Sequence, residues 1–385
     1  MWQSKRLGDI ATFINGYPFK PSDWNDEGLE IIRIQNLTKS SKECNYYKGE
    51  INSKYKITDG DILISWSATL GVFEWKGNDA WLNQHIFKVE FNKEPIDKKF
   101  FTFLIEHVLD DLKGQVHGAT MKHITKSNFD NTLVPIPPLA TQKAIAEKLD
   151  KADALRKKDQ ELLKQYDELA QSIFIDMFGD PVQNEKGWEK IQLGNFITTL
   201  VDVGSNGAND WVSANIKMKD EEDYAMMIRT TNLSNNDFSD NLKYVTEETY
   251  NLFKKTKVFG GEVIMNKIGS AGDFWIMPNL NRPVSLGLNQ LMFEFENLNT
   301  LFFKHYFSTD YGVKLIKSNL RGAITKSITK TALRELEIYN VPLELQNQFA
   351  EKIKNIEAQK ELVKKQAEAS ENLFQALLQE SFSFT

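Results

Sequence analysis

The chain has 385 residues, of which 41% are hydrophobic and 26% charged, and its net charge is −6. This length and composition are typical of a globular protein with two or three cores and exclude a largely disordered chain. No run approaches the roughly 18 apolar residues of a membrane helix, and the single cysteine, Cys44, excludes an internal disulfide and a multi-cysteine zinc site. These features predict a cytoplasmic protein.

Two parts of the sequence repeat the same short motifs in the same order. Leu7-Gly8 and Leu193-Gly194 each stand five residues after a tryptophan. From Gly118 onward the spacing between the copies stays constant as far as Gln142 and its counterpart Gln346. So many ordered matches predict a duplicated module. The other matched pairs are Ile32-Arg33 with Ile228-Arg229, Gly60-Asp61-Ile62-Leu63 with Gly261-Glu262-Val263-Ile264, and Leu82-Asn83-Gln84 with Leu288-Asn289-Gln290.

Each module contains patterns typical of strands and of helices. In the first copy, Ile62-Leu63-Ile64 and the alternation from Phe87 to Phe91 predict strands. The apolar spacing from Phe100 to Leu112 instead predicts a buried helix face, and the second copy repeats the alternation from Phe293 to Phe295. We therefore predict an α+β fold with two similar mixed α/β domains.

A long stretch without glycine or proline follows each module. In Leu139–Phe178 and Leu343–Phe382, apolar residues recur at steps of three and four, which predicts coiled-coil-like helices of roughly 60 Å. Such helices are longer than a module, so we predict that they pair antiparallel about a pseudo-two-fold axis, with the modules at opposite ends. The predicted boundaries are 1–138 for the first module, 139–178 for the central helix, 179–187 for a linker, 188–342 for the second module and 343–385 for the C-terminal helix.

Polar and apolar residues on these helices give two further predictions. Asp159 and Lys360 each interrupt the apolar stripe near mid-helix, and we hypothesise that they face each other and fix the register of the pair. An additional apolar stripe lies beside the pairing face and predicts a partner helix from another protein. Its members are Leu155, Leu162 and Leu169.

A segment without acidic residues occurs at the same place in each copy, at residues 112–129 and 311–334. A single basic segment of this kind is typical of a solvated loop, but its recurrence in a chain of negative net charge favours an edge that contacts DNA phosphates. The predicted DNA contacts are Lys113, His117, Lys122, His123 and Lys126 in the first copy and Lys317, Arg321, Lys326, Ser327 and Lys330 in the second.

Residues that discriminate between base sequences are expected where the two copies differ. Ser65-Trp66-Ser67 stands where the second copy has Asn266-Lys267-Ile268, and Gln35 stands opposite Thr231. Trp66 is either a DNA contact or a core residue. The arginines that both copies share either bind guanine through their forked donors or form a buried ion pair. The predicted contacts of this kind are Arg33, Gln35, Trp66, Ser67, Arg229, Asn266 and Lys267.

Motifs for catalysis are weak in this sequence. It has neither a Gly-Lys-Ser/Thr phosphate loop nor a strand-linked Gly-x-Gly-x-x-Gly motif. Asp61 with Glu74-Trp75-Lys76 loosely matches the spacing by which some nucleases hold Mg²⁺, but the second copy has Asp273-Phe274-Trp275, without the lysine. The five histidines are scattered, which disfavours a metal cluster. We therefore predict no catalytic residue, metal site or cofactor in this chain.

Motifs along the whole chain resemble those of the specificity subunits of type I restriction-modification systems. The resemblance is clearest between the modules, in Met177-Phe178-Gly179-Asp180-Pro181 and Lys186-Gly187-Trp188. It also includes Gly60-Asp61-Ile62-Leu63 and the Pro135-Ile136-Pro137-Pro138-Leu139 entry to the helix. The second module departs from this pattern at Asn340-Val341-Pro342, which leaves the similarity of the two domain-helix junctions open.

The resemblance implies that the modules are two target-recognition domains separated by an antiparallel helical spacer. It implies a bipartite, asymmetric target in double-stranded DNA, two methyltransferase subunits bound along the helices, and restriction translocase subunits. Adenine methylation and DNA cleavage would then belong to these partners, which would bind S-adenosylmethionine, ATP and Mg²⁺. The alternatives from other classes are a Mg²⁺-dependent nuclease and a helical scaffold that does not bind DNA.

Overall fold

The structure is a computed structural model, and it describes residues 2–41, 43–114, 125–268, 271–322 and 326–382, with the backbone alone at residues 111–114. The chain divides into two compact units. The first unit consists of Met1–Glu161 with Val363–Thr385, and the second unit is Leu162–Leu362. Each unit therefore combines one module with parts of both long helices.

The first unit contains two four-stranded sheets and a two-stranded ribbon. One sheet has the antiparallel order β2, β9, β6, β7, and the other has the order β4, β3, β8, β5 with β3 and β8 parallel. Every residue of β6 is buried, which agrees with the three consecutive apolar residues at its start. The strands are β1 Gln3–Arg6, β2 Thr12–Asn15, β3 Leu29–Ile32, β4 Asn45–Tyr47, β5 Lys56–Ile57, β6 Ile62–Ser65, β7 Gly71–Glu74, β8 Ala80–Leu82, β9 Ile86–Glu90 and β10 Leu133–Ile136; the helices are α1 Leu7–Ile10, α2 Ile34–Leu37, α3 Lys98–Gly114, α4 Lys126–Asn131 and α5 Leu139–Phe178.

The second unit repeats this topology strand by strand. Its sheets have the orders β12, β19, β16, β17 and β14, β13, β18, β15, and its ribbon pairs β11 with β20 as β1 pairs with β10. The predicted duplication and mixed α/β fold are confirmed. The strands are β11 Lys190–Gln192, β12 Ile197–Val201, β13 Ala225–Met227, β14 Lys243–Val245, β15 Lys257–Val258, β16 Val263–Asn266, β17 Phe274–Ile276, β18 Val284–Ser285, β19 Gln290–Phe295 and β20 Glu337–Tyr339; the helices are α6 Asn209–Asn215, α7 Thr230–Asn235, α8 Glu247–Leu252, α9 Thr300–Ser308, α10 Asp310–Ser318, α11 Lys330–Glu335 and α12 Leu343–Phe382.

Strand register corrects one of the matches between the copies. Ile32 of β3 pairs with Leu82. In the second module Met227 pairs with Ser285, so the next residue, Ile228, which is the counterpart of Ile32, lies level with Leu286. Leu82 therefore corresponds to Leu286, two residues before the position that the sequence motif predicted. The motif match was wrong because backbone pairing fixes the register, whereas a short Leu-Asn-Gln motif can recur by chance near a turn.

The glutamine that the two copies share closes the same junction in each. Gln142 is buried at the start of α5, where its Oε1 accepts from the Asp97 main-chain N at 2.9 Å and its Nε2 donates to the Pro137 carbonyl at 2.9 Å. Gln346 makes the equivalent bonds to Asn299 and Val341, each at 2.8 Å. A buried amide that satisfies two backbone groups explains why both modules have glutamine here.

Within the first unit, α5 and α12 run antiparallel. Lys148 binds Glu380 at 3.1 Å, and farther along α5 the side chain of Arg156 meets Glu371 at 3.4 Å, so the partner number falls as the residue number rises. The paired helices close the core of the sheet and α3. Leu149, Ala152, Phe374, Leu378 and Phe382 all belong to that core.

Within the second unit, the other ends of the two helices close an equivalent core, again antiparallel. Phe178 contacts the ring of Phe349 with centroids 5.3 Å apart, and Lys360 binds Asp167 at 2.6 Å. The two predicted long helices and their antiparallel pairing are confirmed within each unit. No helix in the described part of the chain is both long and apolar enough to span a membrane.

The hypothesis that Asp159 faces Lys360 is wrong. Asp159 is 1% exposed and accepts hydrogen bonds from Gln366 at 2.5 Å and Ser370 at 2.7 Å. Lys360 instead binds Asp167 and, on its own helix, Glu357 at 3.3 Å. Both polar side chains are therefore paired, but with other residues than the sequence predicted.

Candidate nucleic-acid interface

The residue that follows the central strand occupies the same backbone position in both modules. After β6, the main-chain N of Trp66 donates to the His85 carbonyl at 3.2 Å, and after β16 that of Lys267 donates to Asn289 at 2.8 Å. His85 and Asn289 correspond through the register of β9 and β19. The two modules therefore carry different side chains, Trp66 and Lys267, at the same backbone position.

In the first module, Trp66 is half-buried and held by its neighbours. Its Nε1 donates to Asn15 Oδ1 at 3.1 Å, and its ring stacks on Phe87 with centroids 5.6 Å apart and lies 4.9 Å from His85. Trp66 thus packs against the core and still presents part of its surface to solvent. Ser67, one residue farther on, is buried.

In the second module, the side chain of Lys267 binds an acid at the equivalent place. Its Nζ lies 2.6 Å from Asp202, which directly follows β12. Asp202 corresponds to Asn15, because the residue before each pairs with the same position of the neighbouring strand. Val201 pairs with Met292 of β19, and Ile14 pairs with the counterpart of Met292, Lys88 of β9. The indole-amide pair of the first module is therefore an ammonium-carboxylate pair in the second.

Lys330, the first residue of α11, binds the same carboxylate. Its Nζ contacts Asp202 Oδ1 and Ser205 Oγ, each at 2.6 Å, and Ser205 Oγ donates to Asp202 at 2.9 Å. Burial raises the pKa of Asp202, but hydrogen bonds from Lys267, Lys330 and Ser205 outweigh it and lower that pKa to about 2. Asp202 is therefore a permanent anion at physiological pH.

The acid-free segment of the second module packs beside this cluster. Arg321 and Ser327 exchange main-chain hydrogen bonds at 2.8 Å, Ser327 also pairs with Ile268, and the Ile328 N donates to the Lys267 carbonyl at 3.3 Å. The structure thus brings together predicted contacts that are far apart in the sequence. Arg321 and Lys326 are exposed in this loop, and Lys317 is exposed on α10.

The basic segment of the first module lies mostly outside the described residues. This applies to His117, Lys122 and His123, whereas Lys113 lies in α3 with only its backbone described. Lys126 begins α4 and binds Asp130 at 2.6 Å, one turn along the same helix. In the second module Arg334 replaces Asp130, so Lys330 has no acid one turn along α11 and binds Asp202 instead.

Arg33 and Arg229 occupy equivalent positions directly before α2 and α7, and the Nε of each is buried without a hydrogen-bond partner among the described residues. The Arg33 guanidinium lies 5.1 Å from the ring centre of Trp24 and 3.7 Å from Glu43, whose side chain is exposed. Arg229 Nη2 donates to Asn241 Oδ1 at 3.1 Å.

Next to Arg229, the second module has a cleft of about 260 Å³ that also includes Thr231, Leu288 and Gln290. Asn266 lies buried nearby and accepts from Thr230, another residue of the cleft, at 2.5 Å. Gln35, the counterpart of Thr231, is half-buried on α2. The cleft is therefore lined by both polar and apolar groups.

Comparison with known proteins identifies the family. The family model described as "Type I restriction modification DNA specificity domain" matches residues 1–165 and 185–371. The chain belongs to this family. Its resemblance to specificity subunits of type I restriction-modification systems, predicted from the sequence, is thereby confirmed, and DNA recognition is the function that the family supports.

Two distant relatives match over nearly the full chain. The chain is 22% identical over 405 residues to the specificity subunit of the type I restriction enzyme EcoBI of Escherichia coli, covering 99% of this chain and 85% of the relative. It is also 22% identical over 381 residues to the MjaVIII specificity subunit of Methanocaldococcus jannaschii, covering 96% and 89%.

Among solved structures, the type I restriction-modification S subunit from M. genitalium is similar in fold. The TM-score is 0.58 at 14% identity, and the match covers 100% of this chain and 97% of that one. At this level of identity the likeness shows the fold, which agrees with the duplicated topology described above.

The sequence did not predict three residues of the candidate interface in the second module: Asp202, Ser205 and Lys255. Asp202 directly follows β12, Ser205 lies in the next turn, Val203–Asn206, and Lys255 donates to the Ser205 carbonyl at 2.9 Å. β12 has a one-residue bulge between Ile197 and Thr199. Asp202 therefore stands one residue farther from Leu193-Gly194 than its counterpart in the first module stands from Leu7-Gly8. The available signal was the correspondence with Asn15, which becomes visible only once this bulge is counted.

The carboxylate set considered for a nuclease has structural roles. Asp61 accepts from the main-chain N of Thr58 at 2.8 Å and binds Lys88 at 3.1 Å, which stabilises the turn before β6. Glu74 binds its neighbour Lys76 at 3.0 Å. Among the described residues, no group of three or more histidine, cysteine or acidic residues lies close enough to hold a metal ion.

Proposed function

We propose that this chain is the subunit that recognises a bipartite, asymmetric target in double-stranded DNA within a type I restriction-modification complex. The observation that carries the proposal is one fold built twice, with different side chains on the same backbone position after the central strand, Trp66 in one copy and Lys267 in the other. Two like domains with unlike contact residues are suited to two unlike half-sites.

The partners that follow from this function are two adenine-N6 methyltransferase subunits and restriction translocase subunits. On α5, Leu155 is 40% exposed, Leu169 is 46% exposed and Leu162 is half-buried. Exposed leucines at helical spacing support the use of this face as the methyltransferase interface. S-adenosylmethionine, ATP and Mg²⁺ would bind to the partners, this chain would be non-catalytic, and the complex would act on DNA in the cytoplasm.

The experiment is a genome-wide map of N6-methyladenine in cells that express this chain with its methyltransferase. We expect methylation at two short specific sequences separated by a fixed gap. When residues 188–342 are replaced by the corresponding module of a relative, only one half-site should change. Absence of a bipartite motif, or a change in both half-sites, would contradict the proposal.

A further inference from the structure

The second module gathers lysines from three separate parts of the chain around one short turn, Val203–Asn206. Lys255 donates to the Ser205 carbonyl, Lys267 binds Asp202, and Lys330 binds both Asp202 and Ser205. These sequence positions are far apart, so the cluster is a product of the fold. We call it the lysine cluster.

The described contacts of the lysine cluster leave positive charge without a balancing anion. Three ammonium groups converge here, and Lys267 and Lys330 share one carboxylate, Asp202, while Lys255 binds a neutral carbonyl. The side chains of Lys267 and Lys330 are 34% and 35% exposed, and Lys255 is exposed, so an external anion can reach them. Excess positive charge at an accessible site attracts phosphate.

The neighbouring loop extends this charged surface. The Lys267 carbonyl accepts from Ile328, directly after the loop that carries the exposed side chains of Arg321 and Lys326. The loop also contains Gly322 at φ +105°, a left-handed conformation that glycine adopts without strain.

The first module has a neutral pair at the equivalent position. Trp66 donates to Asn15, and Lys126, which corresponds to Lys330, binds Asp130 on its own helix. The charge of this site therefore differs between the modules at equivalent positions of the same fold. The first module can thus serve as an internal control for the lysine cluster.

We propose that the lysine cluster binds a phosphate of the DNA backbone at the second half-site, and that Asp202 is a positioning residue that holds Lys267 and Lys330 for this contact. This inference rests on the proposed DNA-recognition function. It also implies that the first module binds its half-site without an equivalent phosphate contact at Trp66.

The test is the affinity of the full chain for a duplex carrying its mapped target, measured across a range of KCl concentrations. Each phosphate contact contributes about 0.9 to the slope of log K against log salt. We therefore expect Lys267→Gln and Lys330→Gln each to reduce the slope by about 1. The mismatch penalty at every base pair should stay unchanged, because a phosphate contact does not read sequence.

The Asp202→Asn variant distinguishes two roles of Asp202, holding the lysines in position and only neutralising their charge. Removing a negative charge should tighten DNA binding if Asp202 only neutralises the lysines, whereas the proposal predicts weaker binding to the target. Should that variant fail to fold, Asp202→Asn combined with Lys267→Trp installs the pair of the first module and should fold with a lowered salt slope. Lys354→Gln, an exposed lysine that binds Glu351 on α12, is the matched control and should leave the slope unchanged.

The outcomes are distinguishable. If the wild-type chain shows no preference for the mapped duplex over a scrambled one, the proposed function fails. If it keeps that preference but the slopes of the lysine variants equal the wild type, or Asp202→Asn binds more tightly, the inference alone is overturned. Stabilisation of the chain by inorganic phosphate over chloride at equal ionic strength, with unchanged DNA slopes, would assign the cluster to a free anion and also overturn it.

Discussion

Asp159 of the central helix accepts a hydrogen bond of 2.7 Å from Ser370 of the C-terminal helix, and both side chains are buried between the helices. A buried carboxylate is costly unless its oxygens are satisfied, and here Gln366 serves the other oxygen. This pair is therefore specific to the antiparallel register of the first unit.

Ser370→Ala removes one donor from Asp159 and should lower the free energy of unfolding by about 1 to 3 kcal/mol, since it leaves a buried acceptor without its partner. Urea unfolding of the full chain measures this loss. Replacing both members, Asp159→Leu with Ser370→Ala, should recover stability because no charge remains buried. A double variant as unstable as the single one would contradict this account.

Glu106 on α3 gives the first unit a pH dependence. Burial, together with the nearby Asp153 carboxylate, raises the pKa of Glu106 to about 7 from its ordinary 4.5. The folded state then holds the proton more tightly than the unfolded state, so stability falls as pH rises from about 4.5 through 7.

Glu106→Gln removes this ionisation and should raise the unfolding free energy at pH 8 by about 1 to 3 kcal/mol. Near pH 4.5 the carboxyl is protonated in the folded state, so the variant should match the wild type there. Thermal unfolding at both pH values checks the prediction, and an equal gain at both would assign the effect to packing instead.

Leu155→Glu and Leu169→Glu on α5 should weaken binding of the methyltransferase subunit, roughly tenfold or more if each leucine is buried at the interface. Leu133→Glu is the matched control, because Leu133 is 56% exposed and belongs to β10 and not to α5. Co-purification and calorimetric titration provide the measurement. Equal affinities for all three variants would exclude this helix face as the interface.

Thr231→Gln places in the cleft of the second module the side chain that the first module has at Gln35. A glutamine amide pairs with adenine through two hydrogen bonds, so we expect the base preference at one position of the second half-site to shift by about 1 to 3 kcal/mol. Lys326→Gln should instead weaken binding evenly across sequences. Methylation mapping distinguishes the two, and a shift in the first half-site would contradict the assignment.

Much of the fold could be predicted from the sequence because its signals are local. The long helices were visible as stretches free of glycine and proline, and the paired Gln142 and Gln346 marked equivalent junctions. The partner of Asp159 was not predictable, because helix register depends on how whole cores pack. The correspondence of Leu82 was likewise decided by strand pairing.

The candidate site was predicted only in part for the same reason. The basic segments were found because they recur in both copies, and Lys267 was found because the copies differ at its position. Their convergence on Asp202 joins residues 65 and 128 positions away, which no local pattern reveals. Sequence reasoning thus identified cations and missed the anion that holds them.

The first unit contains both the earliest and the latest residues of the chain, whereas Leu162–Leu362 is continuous. Phe374 and Phe382, which complete the core around Phe100 and Phe103, follow the whole of the second unit in the sequence. The core of the first unit can consequently be completed only after the second unit has been synthesised, although the first module precedes that unit in the sequence.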